Sequence, residues 1–237
     1  MTPLAAEVLD EVLACSADLP VADALVVESL AYSMLLAGPD FATWLARRER
    51  RPVPPSEHPV LVRRACDGLR ITLNRPERRN AFGAAVREGL LDALAVAEAD
   101  ADLAVVVLEG AGPSFCSGGD LDEFGTTRDP VYAHRIRVER SVGLTVHRLR
   151  DRVRPVLHGA CVGAGIEIPA FADHVVARAD TTFRLPEIAM GLIPGAGGTV
   201  SMTRRIGRER LSWLARTGQA IDATTALAWG LVDEVVG

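Results

Sequence analysis

The sequence of 237 residues contains no lysine, because all 26 residues of its Lys and Arg count are arginine. Enzymes that form a Schiff base through their own lysine are therefore excluded, as are pyridoxal phosphate enzymes and Ser-Lys hydrolases. A nucleotide-binding loop that ends in Gly-Lys-Ser or Gly-Lys-Thr is excluded for the same reason. Any catalysis must rely on carboxylates, backbone amides, five histidines and four cysteines.

Positive charge, paired cysteines and long apolar runs are also scarce. Acidic residues outnumber arginines by 31 to 26, and the formal net charge of -5 predicts no general attraction to nucleic acid. No apolar run approaches the roughly 18 residues of a membrane span, and the N-terminus lacks the basic segment of a signal peptide. The isolated cysteines favour a reduced protein. We therefore expect a cytoplasmic protein that binds neither nucleic acid nor a membrane. The four cysteines are Cys15, Cys66, Cys116 and Cys161.

Motifs for common cofactors are missing as well. The glycine-rich residues 163–165 and 195–198 do not complete a dinucleotide-binding Gly-X-Gly-X-X-Gly pattern, and no Gly-X-Ser-X-Gly hydrolase motif occurs. His158 and Cys161 have no second pair of ligands nearby, so we expect them to pack in the core rather than bind a metal. The sequence predicts neither a metal ion nor a redox cofactor.

The chain divides at a proline-rich segment. Apolar residues recur at helical spacing within residues 1–51, and three prolines in residues 52–55 then form a stiff linker. We expect residues 1–57 to be a helical extension and residues 58–237 to be the core. The core alternates strands with helices, which predicts an α/β fold. The expected strands are residues 60–64, 69–73, 104–108, 155–157 and 174–177, with a turn at Asp67-Gly68, and the expected helices are residues 84–97, 131–149 and 165–172.

Residues 158–167 form the first candidate motif, His-Gly-Ala-Cys-Val-Gly-Ala-Gly-Ile-Glu. A strand ends here in small residues that open into a helix, and the free N–H groups of a helix start can bind an oxyanion. Glu167 would lie beside whatever these groups bind. The alternative is a helix start used only for close packing, with Glu167 favoured by the helix dipole.

Two further stretches carry candidate groups. Glu187 follows a short predicted strand and precedes an apolar turn, which could desolvate it and raise its pKa for general acid catalysis. It could meet Glu167 in one pocket, or it could be a capping or arginine-paired surface residue. Residues 112–121 follow an apolar strand, and the N–H groups of Ser117 and Gly118 could add an oxyanion donor. The alternative for this stretch is a loop without function.

Together with residues 74–81, Asn-Arg-Pro-Glu-Arg-Arg-Asn-Ala, these stretches resemble the crotonase superfamily, the enoyl-CoA hydratase/isomerase family. The resemblance covers about residues 60–236. It implies a crotonase-like (ββα) spiral core of stacked strands and helices. Family members usually continue beyond the segment that matches residues 223–235 with C-terminal helices, which this chain lacks. We expect the N-terminal helices to occupy part of the surface that those helices cover.

The resemblance also implies the roles of individual residues. The backbone N–H groups of Ser117 and Ala164 would form the oxyanion hole for the thioester carbonyl. Glu167 would activate a water for attack at C3, and Glu187 would handle the proton at the α-carbon. The implied reaction is reversible addition of water to a 2-enoyl-CoA. Coenzyme A would enter only as part of this acyl-CoA substrate, and the protein would be a homo-oligomer, a trimer or a hexamer.

The resemblance places the coenzyme A moiety near two segments. Its phosphates would meet basic side chains near the Asn-Arg-Pro segment and the Gly-Gly-Asp loop, and only arginine is available for these contacts. The other arginine-rich segment, with Arg135, Arg137 and Arg140, could pair with acidic residues of a neighbouring subunit or face water, and we expect it to face water. The implied substrate-binding residues are Arg75, Arg78, Arg79, Cys116, Gly118, Gly119, Asp120, Leu121 and Gly163.

Other functions stay open at this point. A Δ3,Δ2-enoyl-CoA isomerase would need one carboxylate to move a proton between C2 and C4. Decarboxylation, thioester hydrolysis and ring formation are further reactions of the superfamily. A non-catalytic acyl-CoA-binding or structural subunit belongs to a different class, against which the presence of both glutamates argues. The acyl end of the ligand is expected to lie against the helix that begins near Val131 and the N-terminal segment.

Overall fold

The computed structural model describes residues 3–65, 68–127 and 129–237 of the chain. Its helices are α1 (Pro3–Cys15), α2 (Val21–Leu36), α3 (Pro39–Ala46), α4 (Ala84–Ala99), α5 (Pro130–Glu139), α6 (Val142–Arg148), α7 (Ala164–Glu167), α8 (Gly198–Thr217) and α9 (Ala223–Trp229). Its strands are β1 (Val60–Ala65), β2 (Gly68–Leu73), β3 (Val105–Gly110), β4 (Val153–Leu157), β5 (Ala160–Val162), β6 (Val176–Arg178), β7 (Thr182–Arg184), β8 (Ile221–Asp222) and β9 (Glu234–Val236).

The strands form two sheets. The larger has the order β1-β2-β3-β4-β6-β9 and is parallel except for the antiparallel pair β1 and β2. The smaller has the order β5-β7-β8, with β5 and β7 parallel. Parallel neighbours require crossover connections, and α4 makes one of them while it packs on β1 and β2. The predicted α/β architecture is therefore confirmed.

Most predicted elements occur within a few residues of their expected positions. The hairpin of β1 and β2 pairs Val60 with Leu73 in antiparallel register, although Asp67 of its predicted turn lies outside the described residues, as does Cys66. The predicted helix over residues 131–149 is wrong as one unit, because α5 ends and Ser141 caps α6 by accepting the Leu144 N–H at 3.2 Å. Pro169 ends the helical bonding after α7, and a short 3-10 turn, Pro169–Phe171, replaces the rest of that predicted helix.

The N-terminal helices share the core of the larger part of the chain. Helices α1 and α2 both pack against α8, and α2 also packs against α5. Leu9 and Leu13 of α1 are fully buried in the same apolar cluster as Ile71 and Leu157 of the sheet. Of the helices described, none alone has the length and apolar character to cross a membrane, and α2 with α3 reaches it only as a pair bent by 60°. The division of the chain at residue 57 stays a prediction.

Three loops at the carboxyl ends of strands meet beside one another. The loop after β3 pairs with β5 through a bridge between Cys116 and Cys161, and Gly119 of the same loop forms a bridge with Phe82. Strand β5 leads through Gly163 into α7, and β7 leads to the 3-10 turn Glu187–Met190. Sheet pairing therefore fixes the loops that carry the three candidate motifs relative to one another.

Candidate active site

Ala164 begins α7 with an N–H group that is free to bind a ligand. Gly163 turns the chain with φ +50°, a conformation that favours glycine, and its own N–H donates to the Arg184 carbonyl at 2.9 Å. Among the described residues no acceptor lies on the Ala164 N–H. Ala164 lines a cavity of about 170 Å³. The walls of this cavity also include residues of α2 and α5, of the loops that follow β3 and β5, and of the turn at Glu187. The prediction that Ala164 lies beside a ligand site is consistent with its position in the cavity wall.

The loop after β3 offers a different donor from the one that was predicted. The Ser117 N–H donates to the Arg79 carbonyl at 3.0 Å, so it is already occupied and Ser117 does not line the cavity. The assignment of Ser117 to the oxyanion hole is therefore wrong. Gly119 does line the cavity, and its N–H meets no acceptor in the part of the chain that the structure describes. Gly119 and Ala164 are the pair of free donors.

Glu167 is held firmly at the end of α7. Its side chain is buried, and its Oε2 atom accepts the N–H groups of Ala196 at 2.8 Å and Gly198 at 2.9 Å. Burial raises the pKa of Glu167 to about 7, and the two backbone hydrogen bonds oppose this rise because they favour the carboxylate. Glu167 can thus act as a base near neutral pH, with Oε2 fixed.

Glu187 lines the same cavity and lies close to the turn at Gly163. A Cβ atom on Gly163 would overlap its Oε1 and lie 3.5 Å from Oε1 of Glu167, so the two carboxylates converge. The Glu187 Oε2 atom is buried and has no hydrogen-bond partner among the described residues. Burial, followed by the nearby Glu167 charge, raises the pKa of Glu187 well above its usual range. The predicted convergence is confirmed, and the alternative of a surface-paired Glu187 is wrong.

A third carboxylate, which sequence reasoning missed, enters the cavity from the N-terminal segment. Glu28 of α2 is buried and accepts hydrogen bonds from Gly197 N–H at 2.8 Å, Thr199 N–H at 3.0 Å and Thr199 Oγ1 at 2.6 Å. Burial and the Glu167 charge raise the pKa of Glu28 to about 8, while these three bonds lower it. Its only signal in the sequence is an acidic residue near the middle of a mostly apolar helix.

Glu28 and Glu167 bind the same short segment in alternation. Of four consecutive amides at the start of α8, those of residues 196 and 198 donate to Glu167 and those of residues 197 and 199 donate to Glu28. A helix start has unsatisfied N–H groups and a partial positive charge, which both carboxylates complement. The position of Glu167 is therefore tied to the docking of α2.

Two more cavity residues were missed. Tyr32 of α2 and Arg137 of α5 both line the cavity, and the guanidinium carbon of Arg137 lies 4.6 Å from the centre of the Tyr32 ring. Arg137 also donates to the hydroxyls of Ser29 and Ser33. The expectation that Arg137 faces water is wrong, because α2 covers it. Arg135 and Arg140 pair with Glu139 and Glu88 at the surface.

The predicted phosphate-binding arginines differ in availability. The Arg75 side chain is buried against the linker and donates to the Pro54 carbonyl at 2.9 Å. The prediction that Arg75 binds a coenzyme A phosphate is therefore wrong. Arg78 is also unavailable, because it donates to Asp120 at 2.7 and 3.1 Å and to Asp122 at 2.9 Å. Arg79 is exposed, and its side chain forms no ion pair with any described residue. Of the three, only Arg79 stays a candidate.

Of the other predicted binding residues, Gly119 lines the cavity, whereas the rest are not among its lining residues. Cys116 and Asp120 are buried, the Gly118 carbonyl accepts the Phe82 N–H at 2.7 Å, and Leu121 is partly buried. Their direct contact with a ligand is not supported by the lining of the cavity. Within the described ranges, no group of three His, Cys, Asp or Glu side chains is arranged to hold a metal ion.

Comparison with known proteins places the chain in a family. The sequence model described as "Enoyl-CoA hydratase/isomerase" matches residues 68–237. The chain belongs to the enoyl-CoA hydratase/isomerase family and has the crotonase fold. This confirms the resemblance that the four motifs carry.

Individual relatives differ in their reactions. The chain is 34% identical over 180 residues to mevalonyl-coenzyme A hydratase SIDH of Beauveria bassiana, an alignment that covers 71% of this chain and 63% of the relative. It is 34% identical to 1,2-epoxyphenylacetyl-CoA isomerase of Escherichia coli, covering 71% and 66%. The crystal structure of enoyl-CoA hydratase from Mycobacterium smegmatis aligns with TM-score 0.71 and 32% identity, covering 76% of this chain and 71% of that one. The chain thus spans less than two thirds of the length of the first two relatives.

Proposed function

We propose that the protein catalyses the reversible addition of water to a 2-enoyl-CoA thioester. The observation that carries this proposal is the convergence of Glu167 and Glu187 in a cavity whose wall also holds two free N–H groups, those of Gly119 and Ala164. Hydration requires a base for water, an acid for the α-carbon and stabilisation of an enolate-like anion. Each of these requirements has a candidate group in the cavity.

The two N–H groups would bind the thioester oxygen. As water adds to C3, negative charge develops on this oxygen, and two aligned donors stabilise it by about 3 kcal/mol or more. Gly119 replaces Ser117 in this proposed pair because the Ser117 N–H is already bonded to Arg79. A neutral ground-state carbonyl gains less from these donors than the anion does, so they lower the barrier.

The two carboxylates would divide the proton transfers. Glu167, with Oε2 fixed by two amides, would take a proton from water through Oε1 while the hydroxyl oxygen bonds to C3. Glu187, whose pKa burial raises well above its usual range, would give its proton to C2. Afterwards one proton passes from Glu167 to Glu187, which restores both groups. Dehydration is the same sequence in reverse.

We propose the remaining features on the basis of the family. Family members act on acyl-CoA substrates, and the exposed Arg79 is the candidate here for a coenzyme A phosphate. Coenzyme A would be the only cofactor-derived group, present as part of the substrate. A cytoplasmic homo-oligomer, trimeric or hexameric, completes the proposal.

The test follows loss of the conjugated enoyl-thioester absorbance when the protein is mixed with crotonyl-CoA. Glu167→Gln and Glu187→Gln are each expected to lower kcat by about 10² to 10⁴, the range for loss of a general acid or base. Glu7→Gln, at an exposed site on α1, is the matched control and should behave as the wild type. Full activity in both active-site variants would refute the mechanism.

A different pattern would favour proton transfer without hydration. If only Glu187→Gln lost activity and a 3-enoyl-CoA was converted to its 2-enoyl isomer, the Δ3,Δ2-isomerase would replace the hydratase. If acyl-CoA esters bound but no enoyl-CoA was turned over, a binding protein or an unusual reaction would be favoured.

A further inference from the structure

Arg137 is a cavity-lining cation without a carboxylate partner. Among the described residues no carboxylate lies within ion-pair distance of it, whereas Arg135 and Arg140 on either side pair with Glu139 and Glu88. Its Nε donates to Ser29 Oγ at 3.2 Å, its Nη2 donates to Ser33 Oγ, and its guanidinium stacks on the Tyr32 ring. Burial lowers its pKa, but an arginine stays charged at physiological pH. The Arg137 guanidinium is therefore held in place by Ser29, Ser33 and Tyr32, but no described carboxylate contacts it to neutralise its charge.

Tyr32 contributes a second unpaired donor beside it. The residue is only 9% exposed, and its hydroxyl forms no hydrogen bond within the part of the chain described. Arg137, Glu187, Glu167 and Glu28 all act electrostatically on this hydroxyl, which locates it among the charged groups of the cavity. Burial raises the pKa of Tyr32, so the phenol stays protonated and can donate. Tyr32 lines the cavity, so a ligand or water there can accept from this hydroxyl.

Glu28 is not the missing acceptor. Its two oxygens already accept three hydrogen bonds from Gly197 and Thr199, and it forms no hydrogen bond with Tyr32 or Arg137. No described residue accepts from the Tyr32 hydroxyl or forms an ion pair with Arg137, so a ligand in the cavity can do both.

The proposed function, on which this inference rests, decides where that acceptor lies on the ligand. Gly119 and Ala164 would bind the thioester oxygen, and the two catalytic glutamates would flank C2 and C3. The acyl atoms beyond C3 would then occupy the part of the cavity that is lined by α2 and α5. Tyr32 and Arg137 lie in this part of the lining. A guanidinium with a neighbouring phenol matches an ionised carboxylate better than a neutral group, because charge-assisted hydrogen bonds are the stronger ones.

We propose that Tyr32 and Arg137 form a subsite for a carboxylate at the far end of the acyl group. The substrates would then be 2-enoyl-CoA esters of dicarboxylic acids. An alkyl chain in the same place would leave the Arg137 charge without a counter-charge and the Tyr32 hydroxyl without an acceptor from the ligand.

Binding is tested apart from turnover, with saturated esters that cannot be hydrated. Glutaryl-CoA and adipyl-CoA are compared by titration calorimetry with valeryl-CoA and hexanoyl-CoA, which match them in chain length but end in methyl. We expect the dicarboxylic esters to bind about 10- to 100-fold more tightly, and Arg137→Met to abolish this preference while it changes the affinity for the alkyl esters by less than about threefold. Arg135→Met, on the same helix, is the matched control and should keep the preference.

The other variants separate a ligand contact from a structural role. Arg137→Lys keeps the charge and should retain part of the preference. Tyr32→Phe removes only the hydroxyl and should lower the affinity for the dicarboxylic esters by about 3- to 10-fold, with no change for the alkyl esters. This variant tests the subsite even if Arg137→Met fails to fold. Equal affinity of the wild type for both classes, or equal weakening of both by Arg137→Met, would overturn the proposal.

The outcome is distinguishable from failure of the proposed reaction. A carboxylate preference in binding, without hydration of glutaconyl-CoA or crotonyl-CoA, would leave the subsite standing and refute the hydratase. Hydration of crotonyl-CoA with no carboxylate preference would support the reaction and refute the subsite.

Discussion

Glu167 and Glu187 are the same residue type in one cavity, and the backbone around them makes them different acids. Two N–H groups bind the Oε2 atom of Glu167, and each of these bonds favours its charged form. The corresponding oxygen of Glu187 has no such partner among the described residues. Burial raises both pKa values, but Glu187 is left as the weaker acid, which suits it to donate a proton while Glu167 accepts one.

This difference predicts a bell-shaped pH dependence of kcat/KM. Activity should rise with pH through about 7, as Glu167 loses its proton and becomes a base. It should fall again at higher pH, when Glu187 also ionises and can no longer donate. The measurement is crotonyl-CoA hydration between pH 5 and 10, in buffers of constant ionic strength. Activity that decreases as pH rises through 7 would contradict the assignment of Glu167 as the base.

Arg78 and Arg79 are adjacent in sequence, but we predict that alanine substitutions at the two positions change the free energy of unfolding by different amounts. Arg78→Ala leaves the buried carboxylates of Asp120 and Asp122 without their main cation, so we expect the free energy of unfolding to fall by about 3–5 kcal/mol. Arg79→Ala removes an exposed side chain and should change it by less than about 0.5 kcal/mol. Urea unfolding of both variants is the measurement.

Affinity for coenzyme A esters is the complementary readout for these two positions. Arg79→Ala should weaken binding of butyryl-CoA by about 2- to 10-fold, with a smaller salt dependence, because one phosphate contact is lost. Unchanged affinity and salt dependence in this variant would remove Arg79 from the site.

At the scale of elements, α2 acts as a wall of the cavity and as a cap on α8. Its carboxylate at Glu28 and the carboxylate of Glu167 occupy alternate amides of residues 196–199. The segment is therefore fixed from two sides, by α7 and by α2. The geometry of Glu167, the proposed base, depends on an element that lies outside the family-matched residues 68–237.

Glu28→Ala is expected to affect both stability and rate. It removes the acceptor of three buried donors, and we expect the free energy of unfolding to fall by about 3 kcal/mol or more, because unsatisfied groups cost about 1–3 kcal/mol each. A shift of the segment would also displace Glu167, so kcat should fall while KM changes little. Glu7→Ala on α1 serves as the control in unfolding and hydration assays. A stable Glu28→Ala variant with wild-type kcat would show that α2 does not position the base.

Local patterns in the sequence account for the strands, the helices and the motif loops, but not for which loop amide is free. Ser117 and Gly119 are two residues apart, and composition does not distinguish their N–H groups. The choice depends on the Arg79 carbonyl, which a left-handed backbone at Arg79 (φ 52°) turns toward Ser117. That contact crosses between two separate motifs, so neither motif alone reveals it.

Glu28, Tyr32 and Arg137 illustrate a second limit. Helix α2 is mostly apolar, and polar residues within it give no indication of their partners. Arg137 lies in an arginine-rich segment whose other members face solvent, and only the docking of α2 onto α5 buries it. The general expectation that the N-terminal segment and the helix near Val131 line one end of the cavity agrees with the lining, whereas the individual residues required the tertiary structure.

At the scale of the whole molecule, the N-terminal helices are part of the core. Deletion of residues 1–51 would uncover apolar surface on α8 and remove Leu25, Glu28 and Tyr32 from the cavity. We expect the truncated protein to be poorly soluble, with hydration lowered by at least about 100-fold, as for loss of a positioned catalytic group. Solubility, activity and light scattering provide the measurements. A soluble, fully active truncated protein with an unchanged oligomeric state would contradict the expected role of these helices.

The hydrogen bonds of Glu28 also set an order of events in folding. They join residues 169 and 171 positions apart, and contacts of such long sequence separation form slowly, after local structure. During synthesis, α1 and α2 leave the ribosome long before α8, so the faces that they pack on α8 stay uncovered in the nascent chain. A chain stalled before α8 therefore presents surface that chaperones bind and that promotes aggregation. The hydrogen bonds that fix Glu28 and Glu167 are complete only once α8 has been made and α2 has docked on it.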